Sequence, residues 1–275
     1  MGIDDLSEDT GIPNKSLTIE EAIADLNGED RGSRYYAAWW LGRFRVRQPE
    51  AISALIAGLS DEGDRTPDGG YPLRRNAARA LGKLGDVQAV PKLIECLKCE
   101  DFYVRETAAE ALGKLQDPVA IPHLTPLLAG GLAAAMPIPG SPTLAQPYDA
   151  VIEALGSLQA KEAIPLIEPF LEHPQDLIQY ATARAMYQLT EKPMYGDRLI
   201  QALEGDKLQL RRAALSDLGA VGYLNAADAI AQTLAENSLK LIALKGILEH
   251  QVQKTADKSL SSEVIHVLEL MDSLL

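Results

Sequence analysis

Residues 74–97 read RRNAARALGKLGDVQAVPKLIECL and residues 105–128 read RETAAEALGKLQDPVAIPHLTPLL. The segments share one pattern: an Arg, small residues three and four positions on, then Ala-Leu-Gly-Lys-Leu, a polar turn, and Ala-Val-Pro or Ala-Ile-Pro before more Leu and Ile. The pattern returns from Tyr148, Gln179 and Arg211, and an earlier copy starts at Arg34, RYYAAWWLGRFRVRQPEAISALIAGL. The starts lie 40, 31, 43, 31 and 32 residues apart, so one unit repeats, with two insertions.

Each unit reads as two short helices. Apolar residues three, four and seven after the opening position, such as Ala77, Ala78 and Leu81, make one helical face. A turn follows at Gly85-Asp86. Pro91, Pro122 and Pro165 then fall in the first turn of the second helix, where a missing N–H costs nothing. Neither helix can bury its apolar face alone, and stacking the pairs makes one continuous core. The expected fold is all-α, an α-solenoid of HEAT-like helix pairs. Residues 17–275 are expected to form one solenoid with insertions at 61–72 and 129–147 and a degenerate capping unit at 237–275. Residues 1–16 are aperiodic and read as an N-terminal arm. The second insertion carries Met136, Ile138 and Leu144, and reads equally as a partner-contacting loop or a tolerated insertion.

Composition agrees with helices. The chain has 275 residues, 47% hydrophobic but only 5% aromatic, so Ala and Leu carry the packing. A net charge of −13 argues against a nucleic-acid partner. No run of 18 apolar residues suggests a membrane span. The acidic start MGIDDLSEDT lacks an apolar signal core, and two cysteines fit a reducing compartment, so a cytoplasmic location is expected.

Two Tyr and two Trp crowd the first unit, and the sister units serve as a control for them. Counting the opening residue as zero, positions 1 and 5 hold Tyr35 and Trp39 here. The later units have Arg75 and Arg79, Glu106 and Glu110, Asp149 and Glu153, Tyr180 and Arg184, Arg212 and Ser216. These positions are mainly charged or polar, which predicts that Tyr35 and Trp39 face solvent on one stripe. The stripe reads as a binding surface or as a patch that the N-terminal arm covers. Position 6 is Trp40 where the next four units have Ala, so Trp40 is assigned to a structural cap at the end of the array, with Phe44 four residues later. Tyr36 is grouped with this cap, although its pattern leaves the choice open. Arg43, Arg75 and Arg79 make a local basic block before the acidic pairs, so the stripe runs from aromatic to basic to acidic. Asp101 with Arg105, and Asp206 with Arg211, are read as ladders tying turn to helix.

Phosphate-binding loops, nucleophile elbows and His-Glu-x-x-His motifs are absent. His123, His173, His250 and His266 are scattered, and no metal site is expected. Cys96 and Cys99 form a lone Cys-x-x-Cys, read as packing or surface.

The Arg-x-x-Ala-Ala-x-Ala-Leu-Gly-x-Leu pattern over roughly residues 18–236, together with YYAAWWLGR, resembles the E subunits of the E/F-type phycobilin lyases. The resemblance implies a heterodimer with an F-type subunit. It also implies phycocyanobilin, an open-chain tetrapyrrole, as substrate and no required cofactor. The acceptor would be a cysteine of the phycocyanin α subunit, joined by a thioether. It implies further that the Ala-Ala-Leu-Gly helix lines the concave side. The absence of His-Glu pairs sets the chain apart from the iron hydroxylase built of similar repeats. On this reading Tyr35 and Trp39 stack on the bilin rings, and Arg43, Arg75 or Arg79 pair with its propionates. Glu106 or Glu110 accepts pyrrole N–H groups or supplies a proton where the acceptor thiol attacks. Two other readings stay open: a non-catalytic interaction scaffold, and a lyase or isomerase subunit acting on another phycobiliprotein.

Overall fold

The computed structural model describes residues 17–254 and 261–275. The expected arm at 1–16 lies outside the described residues. In chain order the helices are α1 Ile19–Leu26, α2 Arg31–Arg43, α3 Pro49–Gly58, α4 Pro72–Leu84, α5 Val90–Cys96, α6 Phe102–Leu115, α7 Ile121–Leu124 and α8 Gly131–Ala134. Then follow α9 Tyr148–Ser157, α10 Ile164–Ile167, α11 Asp176–Thr190, α12 Pro193–Glu204, α13 Leu208–Val221, α14 Ala227–Gln232, α15 Asn237–Lys254 and α16 Ser262–Ser273. No strand occurs among the described residues.

Helices α2, α4, α6, α9, α11, α13 and α15 stack side by side as one layer. The second members of the pairs, α3, α5, α7, α10, α12 and α14, form the other layer. Pro91, Pro122 and Pro165 sit in first turns, as their missing N–H requires. Units three and four carry a further proline, Pro126 and Pro169. There the second helix breaks into a short α turn and a 3₁₀ turn (Thr125–Leu128 and Glu168–Glu172), because an interior proline removes a helical hydrogen bond.

Two recurring contacts set the geometry. The opening side chain of every unit donates a hydrogen bond to a backbone carbonyl of the segment just before its helix. Arg34 Nε reaches Leu26 O at 3.2 Å, Arg74 Nε reaches Asp61 O at 2.7 Å, and Arg105 Nη1 reaches Cys99 O at 2.7 Å. Tyr148 Oη reaches Ala134 O at 3.0 Å, Gln179 Nε2 reaches His173 O at 2.7 Å, and Arg211 Nη1 reaches Gly205 O at 2.7 Å. The expected ladders from Asp101 to Arg105 and from Asp206 to Arg211 are thus corrected. The arginines tie turn to helix through carbonyls, and Asp101 is used elsewhere.

The second contact joins consecutive helices of the stacked layer. The glycine at position 8 of one helix faces the alanine at position 6 of the next: Gly42 on Ala80, Gly82 on Ala111, Gly113 on Ala154, Gly156 on Ala185. A Cβ on Gly113 would lie 2.9 Å from the Ala154 Cα, so no side chain fits between the backbones. The series is interrupted once. Helix α11 has Tyr187 at position 8 and α13 has Asp217 at position 6. There the core divides into two clusters that meet on α11, and the joint is spanned by Tyr187 packed edge-on against Tyr223, ring centroids 5.0 Å apart. Close packing resumes where Gly219 meets Ala243 of α15.

Helix α1, opened by a capping box between Thr18 and Glu21, lies on α2 and α3 and buries Ala22 and Leu26. Insertion 61–72 is built rather than loose. Asp61 pairs with Arg34 at 2.6 Å, and the buried Asp64 accepts the Leu73 N–H at 2.6 Å to start α4.

Replacing Gly113 by Ala is expected to destabilise the array by about 1–3 kcal/mol, as overpacking does, beyond the ~1 kcal/mol that Ala gains in helix propensity. A denaturant midpoint for G113A equal to wild type would show that the two backbones are not in obligatory contact.

Candidate functional site

The stacked layer lines up positions 1 and 5 of successive helices. On α2, Tyr35 and Trp39 are 45% and 41% exposed, so the aromatic end of the stripe faces solvent. The stacking partner of Trp39 is Tyr36, with ring centroids 5.4 Å apart and planes 28° apart. Tyr36 is thus half-buried and leans on the exposed Trp39. Phe44 is 61% exposed, so it closes nothing; it leans on Trp40 at 4.8 Å. Trp40 is half-buried against the core, and the end of the array is covered by α1.

On α4 the two arginines separate. Arg75 donates from Nε and Nη2 to Asp101 Oδ2 at 2.9 and 2.7 Å, and its guanidinium lies 4.6 Å from the Tyr103 ring centroid. Asp101 is buried and also accepts the N–H groups of Tyr71 and Tyr103, at 2.8 and 2.9 Å. Arg75 is thus spent on a strut between units. Arg79 and Arg43 are exposed and make no hydrogen bond or ion pair among the described residues.

On α6 and α9 the carboxylates gather. Burial, with the like charges of Asp149 and Glu110, pushes Glu106 up to about 7 against the pull of Arg79 and Arg75. Glu110 lies 3.8 Å from Lys114. Burial also raises Asp149, and it raises Glu153 to about 7 although Arg184 opposes this. Arg184 Nη1 bridges Glu153 at 3.1 Å and Asp217 at 3.0 Å, and burial holds Asp217 above its usual value.

Beside these groups insertion 129–147 closes a cleft of about 290 Å³. Its walls are the first turns of α6 and α9, the start of α11, and loop residues 137–146, with Glu106 and Asp149 among the lining groups. Tyr148 and the buried His173 hold one end of the loop through the carbonyls of Ala134 and Ala135, at 3.0 and 2.9 Å. Arg105 holds the other end through Ala145 O at 3.0 Å and Gln146 Oε1 at 3.1 Å.

Asp149 was in the sequence pattern as the position 1 residue of its unit, but its place beside Glu106 was not. That juxtaposition depends on how far apart α6 and α9 sit and on where the insertion folds. No cluster of three or more His, Cys, Asp or Glu side chains able to hold a metal occurs among the described residues. Cys96 is buried, and burial raises its thiol to about 11, so it is no nucleophile near neutral pH.

Between pH 4.5 and about 7 the folded chain keeps the Glu106 proton that an unfolded glutamate has lost. Stability attributable to this group therefore falls as pH rises through that window. E106Q removes the effect, so its stability relative to wild type is expected to be higher at pH 8 than at pH 5 in urea titrations. An equal difference at both pH values would contradict the raised carboxyl.

The HEAT repeat family matches residues 64–132, and the PBS lyase HEAT-like repeat matches residues 33–61 and 148–173. The chain is 64% identical over 267 residues to the phycocyanobilin lyase subunit alpha of Microchaete diplosiphon, covering 95% of this chain and 91% of that protein. It is 60% identical over 266 residues to the same subunit of Synechocystis sp., covering 95% and 98%. The bilin biosynthesis protein PecE of Mastigocladus laminosus is 48% identical over 234 residues, 85% of this chain and 82% of that protein. Among solved structures, the complex of CpcE and CpcF of phycocyanin lyase from Nostoc sp. contains a chain that superposes with a TM-score of 0.91 at 58% identity, covering 98% of this chain and 99% of that one. On these identities and coverages the chain belongs to the phycocyanobilin lyase alpha subunit family.

Proposed function

We propose that this chain is one subunit of a heterodimeric bilin lyase. With an F-type partner it attaches phycocyanobilin, its substrate, through a thioether to a cysteine of the phycocyanin α subunit. The observation that carries the reading is the stripe that runs from the exposed Tyr35 and Trp39, past the exposed Arg79, to the half-buried Glu106 and Glu110 on three neighbouring helices. Two helix spacings of about 8–10 Å each separate its ends, which suits an extended flat molecule. Family membership and the solved complex of relatives support the partner and the substrate class.

The aromatic rings offer π-faces to the pyrroles, and Arg79 and Arg43, unpaired among the described residues, offer guanidinium groups to the two propionates. The nucleophile is the acceptor's thiol. Its sulfur bonds to the exocyclic carbon of the bilin's ring double bond, the adjacent ring carbon takes up a proton, and the thiol proton leaves to water. Nothing is oxidised or reduced, so the reaction needs no resident redox cofactor. Glu106, with its carboxyl near 7, is protonated in useful fraction at neutral pH and can deliver that proton. The remaining contribution is positioning, which decides which face of the double bond the thiol attacks. No helix among the described residues is long and apolar enough to cross a membrane.

The double variant Tyr35→Ala/Trp39→Ala is expected to lower bilin transfer by about tenfold or more, since each lost stack is worth about 0.5–1.5 kcal/mol. Full transfer by the double variant would remove the stripe from the site. The two arginines should separate. R79A is expected to lose transfer and keep its stability. R75A is expected to lose about 1.5–3 kcal/mol of stability, as charged hydrogen bonds do, while each folded molecule stays active. Paired transfer assays and urea titrations read the split, and the reverse pattern would overturn the assignment of Arg75 as a strut.

A further inference from the structure

The geometry points to the cleft under insertion 129–147 as the seat of one terminal ring of the open-chain tetrapyrrole, with Glu106 and Asp149 accepting its N–H and the propionates lying outside at Arg79. This inference rests on the lyase reading and adds where and which way round the substrate lies.

Size is the first argument. At about 290 Å³ the cleft stands at the lower limit of pockets for drug-sized ligands, roughly 300–1,000 Å³. It accommodates an end of a four-ring molecule and not the whole. Shape and polarity are the second. Phe102 and Tyr103 form an edge-to-face pair at one wall, centroids 5.4 Å apart, and Leu144 and Leu177 add apolar surface. A flat ring with an apolar body is what such walls bury well.

Charge decides the orientation. Two carboxyl groups repel a propionate, and the propionates of a bilin sit on its two middle rings. The terminal rings carry N–H donors and no charge, so a terminal ring is the part these carboxyl groups accept. Just outside, Arg79 on α4 is near enough to Glu106 to lower its pKa, and it is unpaired among the described residues. The cleft is also formed before any ligand arrives, because Arg105, Tyr148 and His173 fix the loop through backbone carbonyls. Little ordering is then required on binding.

The test titrates phycocyanobilin into the purified heterodimer by absorbance. Leu177 is 48% exposed, so L177W fills the cleft without disturbing the core. It is expected to weaken bilin binding at least tenfold with the heterodimer intact. The absorbance of the bound bilin should also titrate with Glu106. The charges facing Glu106 are Arg75 and Arg79 from α4, Glu110 on α6 itself and Asp149 from α9. Loop 137–146 carries no ionisable side chain, and Asp176 of α11 is paired with Lys207 at 2.6 Å. D149N removes a repelling charge, so the midpoint is expected to move to lower pH, and E106Q should abolish the transition. Unchanged affinity in L177W, or a spectrum whose pH dependence survives E106Q, would overturn the inference and leave the lyase reading standing. Loss of the heterodimer with bilin still held by L177W would overturn it too, by making the cleft a protein-docking site. A wild-type heterodimer that takes up no bilin would remove the lyase reading itself.

Discussion

The closeness of neighbouring helices in the stacked layer governs everything else in this molecule. Where glycine at position 8 meets alanine at position 6, as at Gly82 on Ala111 or Gly113 on Ala154, the two backbones touch. That contact fixes the spacing between helices, and the spacing fixes the separation of side chains at positions 1 and 5. The opening side chain of each unit then sets the tilt by holding the previous turn through a carbonyl. A functional surface built on such a lattice has its steps set by the core beneath it.

The fold was legible in the sequence because both contacts recur at one spacing, and a repeat can be read without knowing any single contact. Comparison of units also placed Tyr35 and Trp39 on the surface correctly. It did not reveal the pairing of Arg75 with Asp101, because a sequence shows charge and not what the charge is spent on. Asp101 lies 26 residues away and reaches Arg75 only after the turn between α5 and α6 has folded back. The place of Tyr36 stayed open for a similar reason. Its small counterparts elsewhere suggested a helix contact, but in the first unit its ring finds a partner in Trp39.

The cleft was the least legible part. Insertion 129–147 breaks the repeat, so the internal control gives no information about it. Its position depends on three hydrogen bonds to backbone carbonyls, which no residue pattern records. Three glutamates and an aspartate, Glu106, Glu110, Glu153 and Asp149, appeared as a charge block, the ordinary dress of a solvated face. The raised carboxyl of Glu106 arises because burial and neighbouring carboxylates act together.

The single interruption of the glycine–alanine series has its own consequence. A linear array is stable as the sum of its units and the interfaces between neighbours. At the interface of α11 with α13, Tyr187 and Asp217 stand where the other described interfaces have glycine against alanine. A different coupling across this one joint is therefore expected to divide the array into two stretches of unequal cooperativity. The stripe and the carboxyl groups of the cleft all lie on the N-terminal side of that joint.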